Sequence, residues 1–162
     1  MKRRGILLLL TVASLGACCN QKTKTVQTAT PEDEFAKGKL IANKPNFTGD
    51  AWLPMFVTVG DSMDYTISNV TFTPDVRNSW HSHPSGQVLF CTSVKGSYQE
   101  KGYSIQLLMP GDVVKIAPNV FHWHGATPDS EFTHIAVGTQ ISKGPTLWLD
   151  TVTDEEYNNF IQ

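Results

Sequence analysis

From residue 55 to residue 149 the chain is a succession of short runs of valine, isoleucine, threonine and aromatic residues, cut by glycine, proline, asparagine and aspartate. The runs fall at 55–59, 65–72, 87–94, 97–99, 105–109, 113–117, 122–124, 132–141 and 146–149. Short runs separated by turn residues predict an all-β sandwich or barrel. Alternation assigns the faces, because successive side chains on a strand point to opposite sides. Phe132, His134, Ala136 and Gly138 therefore share one face of a late strand. No internal repeat and no second domain is visible.

The ends follow other patterns. Thr30-Pro31-Glu32-Asp33 combines an N-cap candidate, a proline at the first helical position and acids in the first turn, predicting a short helix or arm over 31–37 that Gly38 ends. Thr153-Asp154-Glu155-Glu156 is a capping-box sequence and predicts a terminal helix over 154–160. Residues 20–30 are polar and nearly free of large apolar groups, too poor in buried surface to offset the entropy of ordering, and read as a tether.

Residues 1–17 are an export signal: a basic start at Lys2-Arg3-Arg4, a short apolar stretch over 6–12, and small residues before Cys18. The apolar stretch is too short to span a bilayer as a mature helix. Leu15-Gly16-Ala17-Cys18 resembles the lipobox of bacterial lipoproteins, which implies cleavage before Cys18, lipid on its sulfur, and a membrane-anchored, periplasm-facing protein of the bacterial cell envelope.

Loss of Lys2, Arg3 and Arg4 with the signal takes the basic residues from 13 to 10 against 15 acidic ones, a mature net charge of −5 with histidines neutral. That balance argues against a nucleic-acid partner. Besides Cys18 there are Cys19 and Cys91, with no spacing that asks for a disulfide; Cys91 reads as a small buried hydrophobe. The remainder is one domain, with an arm at 31–46, a β domain at 47–149 and a C-terminal segment at 150–162.

All five histidines lie in three strand-like segments: His81-Ser82-His83, His122-Trp123-His124, and His134 within Phe132-Thr133-His134-Ile135. A single strand histidine is more often a hydrogen-bonded wall residue than a ligand, and His134 alone reads that way. Two His-x-His pairs are different, because each puts two imidazoles on one face, and neutral imidazole is the commonest ligand of divalent transition metals. His81, His83 and His122 are accordingly the candidate metal ligands. Pro84 and Gly86 break the strand and let the chain turn before Gln87 presents an amide oxygen. Trp80, Trp123, Phe90 and Phe121 read as core or pocket wall, with Trp123 pointing away from His122 and His124 toward the barrel exterior or a partner subunit. Arg77 reads either as an anchor for a substrate carboxylate or, more simply, as the partner of a surface acid such as Asp75.

With Pro110-Gly111-Asp112-Val113-Val114 ahead of His122, and His81-x-His83 upstream, residues 47–149 resemble the cupin family, a double-stranded β-helix or jelly-roll barrel with one metal in its mouth. Gln87 stands where the family usually has glutamate, Gly96 lies further on than the usual spacing, Ala117 replaces the usual proline, and Asn119 the usual glycine. Asparagine tolerates the left-handed conformation better than most residues, so that turn can survive. Arg77-x-x-Trp80-His81-x-His83-Pro84-x-Gly86-Gln87, His122-Trp123-His124-Gly125-Ala126-x-Pro128 and Thr133-His134-Ile135-Ala136 resemble, more narrowly, the carboxymuconolactone-decarboxylase-associated cupins, which include manganese-dependent hydroxynitrile lyases. The resemblance implies a metal held by His81, His83, Gln87 and His122, with manganese first and iron, nickel or zinc as alternatives, His124 and His134 beside it, and pairing into a homodimer or larger homo-oligomer through the outer sheets.

Three imidazoles and an amide are all neutral and leave the full double charge on the ion, a stronger Lewis acid than a site with glutamate, at a cost in affinity. His124 and His134, held neutral near a dication, are then the candidates for moving a proton, against the plainer reading that both only hydrogen-bond in the barrel wall. Three functions compete: a metal-dependent lyase or proton-transfer enzyme on a small oxygenated molecule, a dioxygenase of the quercetinase type, and a metal- or small-ligand-binding lipoprotein without turnover. Gln87 weighs against the second, whose members usually place a proton-handling carboxylate there.

Overall fold

The computed structural model describes residues 35–41 and 45–159; the signal, the tether and most of the predicted N-terminal helix lie outside them. The described part of that helix, 35–37, is not helical. Eleven strands follow: β1 (Ala51–Trp52), β2 (Met55–Val57), β3 (Tyr65–Phe72), β4 (His81–Ser82), β5 (Gln87–Ser93), β6 (Gly96–Glu100), β7 (Gln106–Leu108), β8 (Val113–Ile116), β9 (His122–Ala126), β10 (Phe132–Thr139) and β11 (Leu147–Trp148). The last element among the described residues is helix α1 (Asp154–Asn158). No helix among the described residues is long and apolar enough to cross a membrane.

The strands form two antiparallel sheets, one ordered β1-β3-β10-β5-β8 with β2 also on β3, the other β11-β4-β9-β6-β7. The inner faces close over one core that includes Val70, Phe72, Leu89, Tyr98, Ile116 and Phe132. In β10 burial alternates as predicted, with Phe132, His134 and Ala136 inward and Thr133, Ile135 and Val137 less covered. Phe90 departs from expectation: it points outward from β5 and is 44% exposed, because Leu89 and Cys91 take the inner positions. Cys91 is a buried free thiol whose pKa burial, with Asp112 nearby, pushes up to about 11.

β9 is buried on both faces. Its outer side is covered by the chain's own C-terminal segment, where Trp123, Trp80, Val152 and Tyr157 make a second apolar cluster. Trp123 does point away from the barrel interior, but onto this lid, with its indole N–H donating to Gln99 Oε1 at 2.8 Å. Thr153 and Glu156 make the predicted capping box at the start of α1. Arg77 belongs to the same lid: it does pair with a surface acid, but that acid is Asp154 rather than Asp75, and the arginine itself is buried. It is 3% exposed, donates to the Val152 carbonyl at 3.0 Å and to Asp154, and lies 4.4 Å over the Tyr157 ring. Tyr157 in turn donates its hydroxyl to the Ala126 carbonyl at 2.7 Å, so the helix is tied to the strand that carries His122 and His124.

Candidate metal centre and its histidine pair

Three adjacent elements bring the ligand candidates together. His81 on β4 and His122 on β9 are direct Cα partners, so their side chains project from the same face at the same level. His83 lies two residues past His81, beyond the end of β4. Gly86 then turns the chain at φ +82°, where an added Cβ would sit 2.4 Å from the Ile116 carbonyl; only glycine lets β5 begin at Gln87. Asn119 holds φ +63° in the turn before His122, the left-handed conformation expected of it.

The donor nitrogens of His81, His83 and His122 all lie within 4.8 Å of one another. Ligand nitrogens about 2.1 Å from one ion lie at most about 4.2 Å apart, so the cluster is close to the size of a site for a single ion. Each ring is aimed by its other nitrogen. His81 Nδ1 bonds the Ser79 carbonyl and His122 Nδ1 the Val120 carbonyl, both at 2.9 Å. A carbonyl only accepts, so in both residues the proton is on Nδ1 and the inward Nε2 carries a free lone pair. His83 Nδ1 meets Thr146 Oγ1 at 3.1 Å, and its Nε2 is buried with no partner.

Gln87 turns its carbonyl oxygen toward His122 Nε2 at 3.3 Å. Both atoms are acceptors, since the single proton of neutral His122 is held at Nδ1. With the amide turned this way two lone pairs meet, an arrangement relieved either by a cation bound to both or by a flip that presents the amide NH2 to His122 Nε2. An imidazolium does not resolve it: burial holds His122 near a pKa of about 4, His83 near about 4, and His81 well below its usual value, with the neighbouring histidines adding to the effect on His81 and His122. The donor set therefore fits a divalent ion bound by three neutral imidazoles and an amide oxygen.

His124 and His134 lie deeper in the barrel, as their strand parity predicts. His134 is fully buried, stacked on Phe132 at 4.8 Å between centroids and edge-on to His124 at 4.6 Å. Burial holds His134 near a pKa of about 3 and His124 well below the usual range, with His134 the next cause for the latter. Neither nitrogen of His134, nor Nδ1 of His124, has a hydrogen-bond partner. Two neutral rings with unmet polar atoms in an apolar interior are costly, and they stand ready for a polar ligand.

A cavity of about 410 Å³ opens beside the centre, lined among others by His83, Gln87, Thr66, Ser68, Ala136 and Gly138. Sequence reasoning missed Thr146, which orients His83 from 63 residues away, and Asn78, which bonds His124. No local spacing signals either one, because both contacts are made by sheet pairing.

No family model matches the chain. It is 37% identical over 111 residues, 68% of this chain and 85% of the relative, to an (R)-mandelonitrile lyase of Granulicella tundricola. It also superposes on the crystal structure of a cupin-like protein of Thermotoga maritima, with TM-score 0.76 and 46% identity over 79% of this chain and 96% of that one. The chain is a cupin. A polyketide cyclase of Streptomyces resistomycificus, at TM-score 0.60 and 12% identity over 76% of this chain and 88% of the cyclase, shares the cupin fold alone. Within this cupin, the three candidate ligand histidines come from the two His-x-His pairs read in the sequence, and His124 and His134 face each other across the barrel from β9 and β10, one in each sheet.

Proposed function

We propose that this cupin is a divalent-metal-dependent lyase acting on a small hydroxylated molecule, with α-hydroxynitriles as the first substrate class to test. The observation that carries the reading is the convergence of the ligand nitrogens of His81, His83 and His122 within 4.8 Å of one another, all three held neutral by burial; the mandelonitrile lyase relative supplies the reaction class. His81, His83, Gln87 and His122 hold the ion, manganese first, with iron, nickel or zinc as alternatives. A bound ion supplies Lewis-acid polarisation of the substrate oxygen.

The histidine pair handles the protons. The substrate hydroxyl gives its proton to an imidazole as the carbon–carbon bond breaks; the bonding electrons leave on cyanide, which takes a proton, and the carbon becomes a carbonyl. The products are an aldehyde and hydrogen cyanide. His124 and His134 are the two neutral groups that can accept and return that proton. The buried apolar wall around them, Phe72 and Phe132, keeps water from competing.

The resemblance of Leu15-Gly16-Ala17-Cys18 to a lipobox supports a lipid-anchored protein that faces the periplasm. The outer face of the six-stranded sheet carries Phe90 and Val113, 44% and 47% exposed, which supports pairing of two copies there. The deciding experiment is metal analysis of the mature protein, purified without chelators, beside His83→Ala, followed by aldehyde release from mandelonitrile. Near-stoichiometric metal lost in the variant, with release that follows it, supports the reading. Metal without release from any hydroxynitrile leaves a binding lipoprotein; oxygen uptake leaves a dioxygenase.

A further inference from the structure

Asn78 is 2% exposed, lies three residues before His81, and makes a closed pair of contacts with His124. The backbone N–H of His124 donates to Asn78 Oδ1 at 3.0 Å. An N–H can only donate, so this bond fixes which way round the amide sits. Asn78 Nδ2, on the other arm, is 3.0 Å from His124 Nε2. An amide NH2 has no lone pair to offer, so it donates and Nε2 accepts. The backbone bond from Asn78 N to the His124 carbonyl at 3.1 Å holds the two residues in register.

We propose that Asn78 is a positioning residue that locks His124 in the Nδ1–H tautomer, making His124 the hydrogen-bond donor of the pair and leaving His134 to accept the substrate proton and return it to the leaving cyanide. The consequence for turnover rests on the lyase reading above; the tautomer does not. With Nε2 occupied by the Asn78 amide, the only reactive atom of His124 is Nδ1–H, which is buried and has no protein partner. It is suited to hydrogen-bond a leaving anion rather than to take a proton from a hydroxyl. His134 has both nitrogens free and no group that selects a tautomer, so either can receive a proton and pass it on. The two rings meet at 84° with centroids 4.6 Å apart.

The test is the substitution Asn78→Asp, which keeps shape and still accepts the His124 backbone N–H but replaces the NH2 donor with an acceptor oxygen. Long-range proton–nitrogen correlation NMR on histidine-labelled, zinc-loaded protein reads each ring nitrogen as protonated or bare. The wild type should show His124 with Nδ1 protonated and Nε2 bare, and Asn78→Asp should show Nε2 protonated. The lyase kcat of the variant should fall roughly a hundredfold or more at unchanged metal content, the scale of a displaced acid or base. A wild-type His124 protonated at Nε2 overturns the proposal, and this measurement suffices if the variant does not fold. A variant that loses activity while keeping Nδ1–H also overturns it, since Asn78 would then act only on packing. An inverted tautomer in a protein that cleaves no hydroxynitrile supports the role of Asn78 and counts against the lyase reading alone.

Discussion

His81 and His122 face each other as Cα partners across β4 and β9, with ring centroids 4.2 Å apart and each Nδ1 tied to a backbone carbonyl two residues earlier in the chain. The backbone thus aims both lone pairs before any ion binds. Replacing either residue by alanine removes one of three imidazoles, and metal content should fall to background. The wild type should melt higher with excess metal, by about 2.7 kcal/mol of added stability at a hundredfold excess over Kd, and the variants should show no such gain. Thermal shift with and without chelator checks this.

Gln87→Glu exchanges a neutral oxygen donor for a charged one at the same place. A carboxylate binds the ion more tightly and reduces its net charge, so the variant should resist chelators longer while turnover falls by tenfold or more, about 1.4 kcal/mol in the barrier. Competition with a chelator and a lyase assay read the two effects separately. Tighter metal with undiminished turnover would contradict the value placed on the neutral amide.

The strands from 65 to 139 were legible because each is short, β-branched and bounded by a breaker; Tyr65–Phe72 was delimited from sequence without error. His81, His83 and His122 were legible because a spacing of two on a strand has one geometric meaning. What the sequence hid was long-range. The orienting role of Thr146 depends on β11 pairing with β4, and nothing near either residue announces it. Arg77 looked like a surface or substrate arginine because the lid that buries it begins 73 residues later; its partners, the Val152 carbonyl, Asp154 and Tyr157, come from a segment whose docking no local pattern encodes. Two-residue strands such as β1 are likewise too short to carry a periodic signal.

Tyr157→Phe deletes the hydroxyl bond to the Ala126 carbonyl and should cost about 1 kcal/mol, read as a lower denaturation midpoint with unchanged metal content. Arg77→Met removes the donors to the Val152 carbonyl as well as the contact over Tyr157, and should cost more than Tyr157→Phe. Both act on the lid and leave the ligand nitrogens in place. Loss of metal in either variant would show that the lid also holds β9 in register.

His134 offers the sharpest separation of stability from activity. It is fully buried between Phe132 and His124 with neither nitrogen bonded, and an unmet polar group in such a place costs on the order of 1–3 kcal/mol. Leucine is near in size and has nothing to satisfy. His134→Leu should raise the stability of the metal-free protein by about 1 kcal/mol while turnover falls on the order of a hundredfold or more. A variant both less stable and fully active would mean that His134 is a wall residue.

The histidines also set how the metal-free protein responds to acid. Burial holds His83 and His122 near pKa values of about 4 and His134 near about 3, whereas an unfolded chain titrates them near 6.5. Between those limits the unfolded state binds protons that the native state refuses, so stability rises with pH through this window and is lost as pH falls. Each histidine contributes at most about 1.4 kcal/mol per pH unit there, fully present above the unfolded value and gone below the folded one. Denaturation midpoints measured from about pH 7 down to about pH 5 should therefore decline steeply. In His134→Leu the decline should be shallower by one histidine's share, and a slope unchanged by that substitution would mean that His134 is already protonated in the native protein.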